Sequence, residues 1–365
     1  MTSPEVSPDS DPPVSDDSRP VEAPVEAPIE LDRMRRNVRA QLFGGTAEPT
    51  RIGRFRLLQC IGRGGMGVVW SAHDDKLDRT VAIKLLRPEV AGHDLTAEAR
   101  ALARLSHPNV VSVFDVGEHE GQRFIAMEFV QGDTLREWLL QPRSVADVVD
   151  VFLAAGQGLS AAHAVGLVHR DFKPDNVLVG DDGRPRVLDF GLARRPDLGG
   201  GEPPVLPSDA NPFATTMTQA GLLLGTPAYM APEQHLGDPA DARSDQFAFA
   251  VALFEGLTGV LPFQGGDLRA LSLSIVAGRI HKPPAGTLSP QLHNALGRAL
   301  SQDPAARFPD IDAMLLALRG ALASSDVSFN TREVDQVLAR AAELQAAAPS
   351  RPGLSAAELE AVAVE

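Results

Sequence analysis

Between residues 55 and 86 the apolar positions fall into three short runs, FRLLQCIG, GVVWSAHD and TVAIKLL, punctuated by glycine and by turn residues. Runs of this length, rich in β-branched side chains, predict strands. From about residue 133 the period changes. Leu135, Trp138 and Leu139 stand at helical spacing, as do Val148, Val151, Phe152, Ala155 and Leu159. A strand-rich part followed by a helix-rich part predicts an α+β chain of two lobes, joined near residues 128–133.

The two ends read differently. Residues 1–32 hold seven prolines, nine Asp or Glu and one Arg, with no aromatic side chain. Such a stretch buries too little apolar surface to offset its ordering entropy, so residues 1–50 are expected to be a disordered acidic, Pro-rich tail. Within it Leu31, Met34, Val38 and Leu42 have helical spacing, either a fraying helix beside a linker or a partner-docking helix. Residues 321–365 are Ala- and Glu-rich. Asn330 with Glu333 and Ser355 with Glu358 read as capping boxes, the first opening a face of Val334, Val337, Leu338, Ala341 and Leu344. That predicts a helical appendage, packed on the body or serving as a partner module. The folded body is then residues 54–320, divided as 54–130 and 131–320.

Composition narrows the class. The 365 residues carry 48 acidic and 34 basic side chains, a net charge of −14, which argues against nucleic-acid binding through bulk positive charge. The single cysteine, Cys60, excludes an intrachain disulfide framework and suits a reducing compartment. No uninterrupted apolar run approaches the roughly 18–20 residues that cross a bilayer. The opening MTSPEVSPDSD lacks the basic and apolar regions of a secretory signal. The expectation is a cytoplasmic protein with no integral membrane contact.

Chemistry enters first at Ile61-Gly62-Arg63-Gly64-Gly65-Met66-Gly67-Val68-Val69. A G-x-G-x-x-G that opened a helix would suggest a dinucleotide fold, but Val68, Val69 and Trp70 are strand formers, so the glycines lie in a hairpin. A Walker-type G-x-x-x-x-G-K-[ST] is missing. Taken alone, the loop is either an ordinary glycine-rich hairpin or a phosphate cradle with exposed N–H groups. Only four of the 34 basic residues are Lys, and one of them, Lys84, ends the apolar run Val81-Ala82-Ile83. On an antiparallel neighbour strand its ammonium would lie under the loop, within reach of phosphate oxygens. Glu98, in a helical stretch over residues 95–105 with Leu95, Ala99, Leu102 and Leu105 inward, is the carboxylate that would orient it.

Residues 169–176 read His169-Arg170-Asp171-Phe172-Lys173-Pro174-Asp175-Asn176, and thirteen residues on comes Asp189-Phe190-Gly191. Read as chemistry, this is a magnesium–phosphate site. Asn176 and Asp189 offer the hard oxygens that Mg²⁺ prefers, with Mn²⁺ as an alternative occupant. Asp171 is left to orient a hydroxyl and accept its proton, Lys173 balances charge on the moving phosphoryl group, and His169 packs beside Asp189.

These motifs, in this order, resemble the protein kinase superfamily, and most closely the eukaryotic-like bacterial Ser/Thr kinases, over residues 55–319. The resemblance implies the bilobal protein kinase fold, a strand-rich N-lobe with one helix and a mainly helical C-lobe. It implies that Gly62, Gly64 and Gly67 cover ATP phosphates, that Lys84 pairs with Glu98, that Asp171 is the base, and that Asn176 and Asp189 hold the metal. Val69, Ala82 and Leu178 would sandwich adenine behind a gatekeeper Met127, with backbone groups of Glu128 to Val130 facing the ring. Glu233, closing the segment Ala231-Pro232-Glu233, would pair with Arg307, and Asp245 would brace the catalytic loop. Lys173 and Thr226 are features of the Ser/Thr class, so the implied partners are ATP and protein Ser/Thr hydroxyls.

Arg170 beside the base implies control by a phosphate on the segment from 189 to 233, with Thr215, Thr216 and Thr218 as acceptors and Thr218 the first choice. Autophosphorylation would then proceed in a transient homodimer. The competing reading is a pseudokinase or scaffold that binds nucleotide and partners but transfers nothing. Against it, the lysine, the base and the metal Asp are all present.

Overall fold

The computed structural model describes residues 50–64, 67–87, 102, 104–190, 227–284 and 286–326. The smaller lobe is one antiparallel sheet of β1 (Arg51–Ile52), β2 (Phe55–Gly64), β3 (Gly67–Asp74), β4 (Arg79–Leu86), β5 (Val113–His119) and β6 (Gln122–Glu128), in the order β1-β2-β3-β4-β6-β5. Period two assigns its faces. Val68, Trp70, Ala72, Val81, Ile83, Leu85, Phe124 and Ala126 pack with Phe55 and Leu57 in one core. Their chain neighbours Val69, Ala82, Leu86, Ile125 and Met127 gather in a second cluster.

The larger lobe begins with a three-stranded sheet, β7 (Gly132–Thr134), β8 (Val177–Gly180) and β9 (Pro185–Val187). Its helices are α1 (Leu135–Trp138), α2 (Val145–Ala164), α3 (Pro232–Leu236), α4 (Ala242–Thr258), α5 (Leu268–Val276), α6 (Pro290–Ala299) and α7 (Ile311–Asp326). Thr134 with Glu137 and Ser144 with Asp147 form the capping boxes that start α1 and α2. Helix α4 is buried on every side from Ser244 to Phe254 and is the axis of the main core. Phe172 packs on it, its ring centroid 5.5 Å from that of Phe249.

Three expectations need correction. The body does not begin at 54: Arg51 pairs with Arg56 and Ile52 with Phe55, because Thr50 and Ile52 find buried places at the sheet edge. Nor does it end at 320, which falls inside α7. Finally, α2 is twenty residues long with a window of mean hydropathy 1.3, enough by length and composition to cross a membrane. Its apolarity is used otherwise, since Val148, Val149, Phe152, Leu153, Leu159 and Ala162 are buried in the main core. The segments 1–49 and 327–365, with their expected tail and appendage, lie outside the described residues.

Candidate active site

The glycine hairpin forms as the sequence predicts: β2 and β3 pair through Gly62↔Val69, Arg63↔Val68 and Gly64↔Gly67. Gly67 has φ +153°, and a Cβ there would sit 1.9 Å from the Leu85 carbonyl oxygen, so only glycine fits. Ile61, Arg63 and Gly64 are exposed. Strand alternation turns the Val68 side chain into the small-lobe core, which leaves its backbone as the part of the residue available in the hairpin. Gly65 and Met66 lie outside the described residues.

Lys84 pairs with Val69 on β3 and Ile125 on β6, in the centre of the sheet. Its ammonium is buried and lies 2.7 Å from Asp189 Oδ2. Glu98 lies outside the described residues, as does most of the helical stretch expected over 95–105; Leu102, from that stretch, is buried in the main core. Ala82 and Met127 share a cluster with Val69 and Val130. Leu178 comes from β8 of the other sheet and is half-buried, paired with Arg186 and Thr134.

Glu128, at the end of β6, donates its backbone N–H to the Ser112 carbonyl at 2.9 Å, and its carboxylate is held twice. Its carboxylate lies 3.0 Å from Arg186 Nε and accepts a 3.4 Å hydrogen bond from the Ser112 backbone N–H. Hydrogen bonding to Asp182, with Glu128 adding, pushes the Arg186 guanidinium further up.

The cluster around Asp171 is tight. Asp171 Oδ2 accepts from Lys173 Nζ at 2.8 Å and from Asn176 Nδ2 at 3.1 Å, and Nδ2 also reaches the Asp171 carbonyl at 2.7 Å. With its nitrogen so committed, Asn176 presents Oδ1 as the acceptor end of its amide. His169 is fully buried, Nε2 against the Leu188 carbonyl at 2.7 Å and its ring 4.8 Å from that of Phe190. It thus packs against the residues on either side of Asp189.

Two residues in this cluster adopt left-handed backbone without being glycine: Arg170 at φ +67° and Asp189 at φ +58°. Asp245 on α4 holds the first. Its buried carboxylate accepts from the backbone N–H of His169 and of Arg170, both at 2.7 Å, and lies 2.7 Å from His163 Nε2. Glu233 and Arg307 form a forked pair at 2.8 and 2.7 Å, with Ser244 Oγ on the same carboxylate at 2.7 Å. Burial raises the Glu233 carboxyl, but the bonds from Arg307 and Ser244 outweigh it and hold it below the usual range. Gln234 Nε2 donates to the Arg170 carbonyl, tying this anchor to the catalytic loop.

Sequence reasoning missed His163, Gln234, Arg186 and a hub at Arg136. Arg136 Nε reaches both oxygens of Asp175 at 2.9 Å, Nη1 reaches Glu255 at 3.3 Å and Nη2 reaches the Tyr229 hydroxyl at 2.6 Å. Burial and Glu255 push that hydroxyl far up. No spacing rule marks these partners. A cation directly after the apolar Leu135, where a capping box opens a helix, is the one available hint. The regulatory candidates Thr215, Thr216, Thr218 and Thr226 lie outside the described residues.

Comparison with known proteins agrees with this arrangement. Residues 55–315 match the family described as protein kinase domain. The chain is 36% identical over 274 residues to the probable serine/threonine-protein kinase PknB of Lactococcus lactis, covering 72% of this chain and 41% of that protein. It is 37% identical over 319 residues to the serine/threonine-protein kinase Pkn1 of Myxococcus xanthus, covering 80% and 43%. It is 35% identical over 274 residues to the serine/threonine-protein kinase PknA of Mycobacterium tuberculosis, covering 71% and 59%. The chain thus spans about two fifths to three fifths of the length of these relatives. The crystal structure of Rad53 in complex with AMP-PNP superposes with a TM-score of 0.57 at 24% identity, covering 72% of this chain and 64% of that one, a likeness of fold. By motif order, fold and these relationships, the chain belongs to the protein kinase domain family.

Proposed function

We propose that this chain transfers the γ-phosphoryl group of ATP to Ser and Thr hydroxyls of proteins. The observation that carries the reading is the meeting of two lobes at one point: Lys84 of the small-lobe sheet on Asp189, beside Asp171 with Lys173 and Asn176. Lys84 and the N–H groups of the glycine hairpin hold phosphate oxygens, and the apolar cluster of Val69, Ala82 and Met127 receives adenine, with Leu178 opposite and the backbone of residues 128–130 along its edge.

The donor set suits a hard divalent ion, Mg²⁺ or Mn²⁺: Asn176 Oδ1 and the Asp189 carboxylate are oxygen ligands, and Asn176 is oriented by Asp171. Bound there, the ion would neutralise phosphate charge. Asp171 orients the acceptor hydroxyl and takes its proton as the new O–P bond forms and the bond to the β-phosphate oxygen breaks, releasing ADP. Lys173, 2.8 Å from Asp171, sets that carboxylate and offsets charge on the moving group.

The same reading assigns the catalytic unit to residues 54–320, extended by β1 and α7, with what remains of 1–50 and 321–365 as flanking segments outside the chemistry. Thr215, Thr216 and Thr218 are its autophosphorylation acceptors, reached in a transient homodimer, and Arg170 receives the phosphate. A cytoplasmic site of action without nucleic-acid or integral membrane contact rests on the acidic charge and the lone cysteine. The test is incorporation of radiolabel from ATP into a generic protein substrate by the wild type and by Asp171→Asn. Loss of one acid–base group is expected to cost about 10²–10⁴-fold. Equal incorporation by the two proteins would overturn the assignment.

A further inference from the structure

Two consecutive residues of α3 hold two different parts of the molecule. Glu233 is fastened to the body of the large lobe by Arg307 and Ser244. Gln234, half-buried at the next position, reaches the catalytic loop instead. Its Nε2 donates to the Arg170 carbonyl and its Oε1 accepts from the backbone N–H of Ala231, each at 2.9 Å. A carbonyl only accepts and an N–H only donates, so a single orientation of the amide satisfies both partners.

The place that Gln234 holds is a strained one. Arg170 has φ +67°, a conformation that a non-glycine residue keeps only where its surroundings impose it. The peptide before it is fixed by Asp245, which accepts from the N–H of His169 and of Arg170, both at 2.7 Å. The peptide after it carries the Arg170 carbonyl and the Asp171 N–H. Gln234 holds the carbonyl at 2.9 Å, and the N–H lies 3.3 Å from His169 Nδ1. Rotation of that peptide would turn the Asp171 backbone, and with it the carboxylate that Lys173 and Asn176 bind.

We propose that Gln234 is a positioning residue for phosphoryl transfer: by bonding the Arg170 carbonyl it fixes the peptide that aims Asp171 at the acceptor hydroxyl. Because the same amide is locked to Ala231, the alignment of Asp171 depends on the seating of Ala231-Pro232-Glu233. The inference rests on the kinase reading above and adds the physical link between that segment and the base.

The experiment compares the full chain with Gln234→Met and Gln234→Glu in steady-state phosphorylation of a generic protein substrate. Active sites are counted by stoichiometric binding of a non-hydrolysable ATP analogue, so that kcat refers to folded protein. Gln234→Met keeps the length of the side chain and removes both bonds. It is expected to lower kcat about tenfold, the worth of one hydrogen bond, and to leave KM for ATP unchanged. Gln234→Glu decides the matter if Gln234→Met fails to fold. Ionised, its carboxylate still accepts from Ala231 but offers Arg170 no donor; protonated, it regains an O–H for that carbonyl. A carboxyl set against a carbonyl titrates above its ordinary value of about 4.3. The ratio of wild-type to Gln234→Glu kcat should therefore be largest at about pH 8 and narrow toward about pH 5. A Gln234→Met kcat equal to that of the wild type, a Gln234→Glu ratio that ignores pH, or a loss confined to KM for ATP would overturn the proposal and leave the kinase reading standing. A wild type that incorporates no label would overturn the kinase reading itself, and this proposal with it.

Discussion

Lys84 Nζ lies 2.7 Å from Asp189 Oδ2, a buried pair that ties the middle of the small-lobe sheet to the segment after β9. The lysine is buried because strand alternation points it into the cleft, and a buried ammonium needs a carboxylate. Lys84→Met should therefore leave Asp189 unpaired and, on the proposed reading, remove a phosphate donor together. We expect kcat to fall about 10²–10³-fold, as for loss of a preorganised donor at a site of developing charge. Asp189→Asn should fall at least as far, since on the proposed reading it removes an oxygen ligand of the metal as well. Steady-state phosphorylation with ATP titrated checks both.

The glycine hairpin separates stability from nucleotide handling. At Gly67 a Cβ would meet the Leu85 carbonyl at 1.9 Å, with φ +153°, whereas around Gly64 nothing lies within 4 Å. Gly67→Ala is expected to destabilise by about 1–3 kcal/mol, the scale of local backbone strain. Gly64→Ala should leave the melting temperature within a degree or two, about the effect of a neutral surface change. Its cost, if the hairpin covers phosphates, appears in KM for ATP. Thermal melts beside ATP titrations distinguish the two substitutions.

Much of this was legible in the sequence because it is local. Period two in TVAIKLL places Ala82 and Lys84 on the cleft face, and the eight residues from His169 to Asn176 carry their chemistry in one loop. Hidden were the pairings that depend on how distant elements dock. Asp245 under Arg170, Arg186 on Glu128 and Arg136 on Glu255 join residues 75, 58 and 119 positions apart. No hydrophobic period encodes such pairs. The twenty-residue, largely apolar helix α2 likewise carries no label saying whether protein or lipid covers it; Phe152 against Phe249 answers for this face.

Glu233 and Arg307 form the anchor beneath the catalytic loop, and Arg307 is 1% exposed. Removing one partner of a buried, hydrogen-bonded pair costs about 3–5 kcal/mol, so Arg307→Ala should unfold at markedly lower denaturant. The pair also carries a pH dependence. The Glu233 carboxyl titrates below its ordinary value of 4.5 in the folded state, because the bonds from Arg307 and Ser244 outweigh the upward push of burial. Its contribution is present above the unfolded value and is lost as pH falls through the folded one. The stability gap between wild type and Glu233→Gln should therefore be full at pH 7 and shrink below about pH 4.5.

His235 gives a second titration, of opposite chemistry and nearer neutrality. It is buried on α3, with Nε2 3.0 Å from the Pro227 carbonyl. Burial lowers its pKa below the ordinary 6.5, and the bond to Pro227 only partly opposes this. Below pH 6.5 the unfolded chain therefore takes up a proton that the folded protein resists. Stability is full above that value and declines as pH falls toward the folded pKa, at most about 1.4 kcal/mol per pH unit for one proton. His235→Gln keeps a side-chain donor for Pro227 but cannot titrate, so its deficit relative to wild type should narrow between pH 7.5 and 5.5. Urea unfolding of both proteins across that range measures it. A deficit that stays constant would mean that His235 carries the same charge in the folded and unfolded chains. Burial beneath the turn Pro227–Tyr229 would then have no part in acid sensitivity.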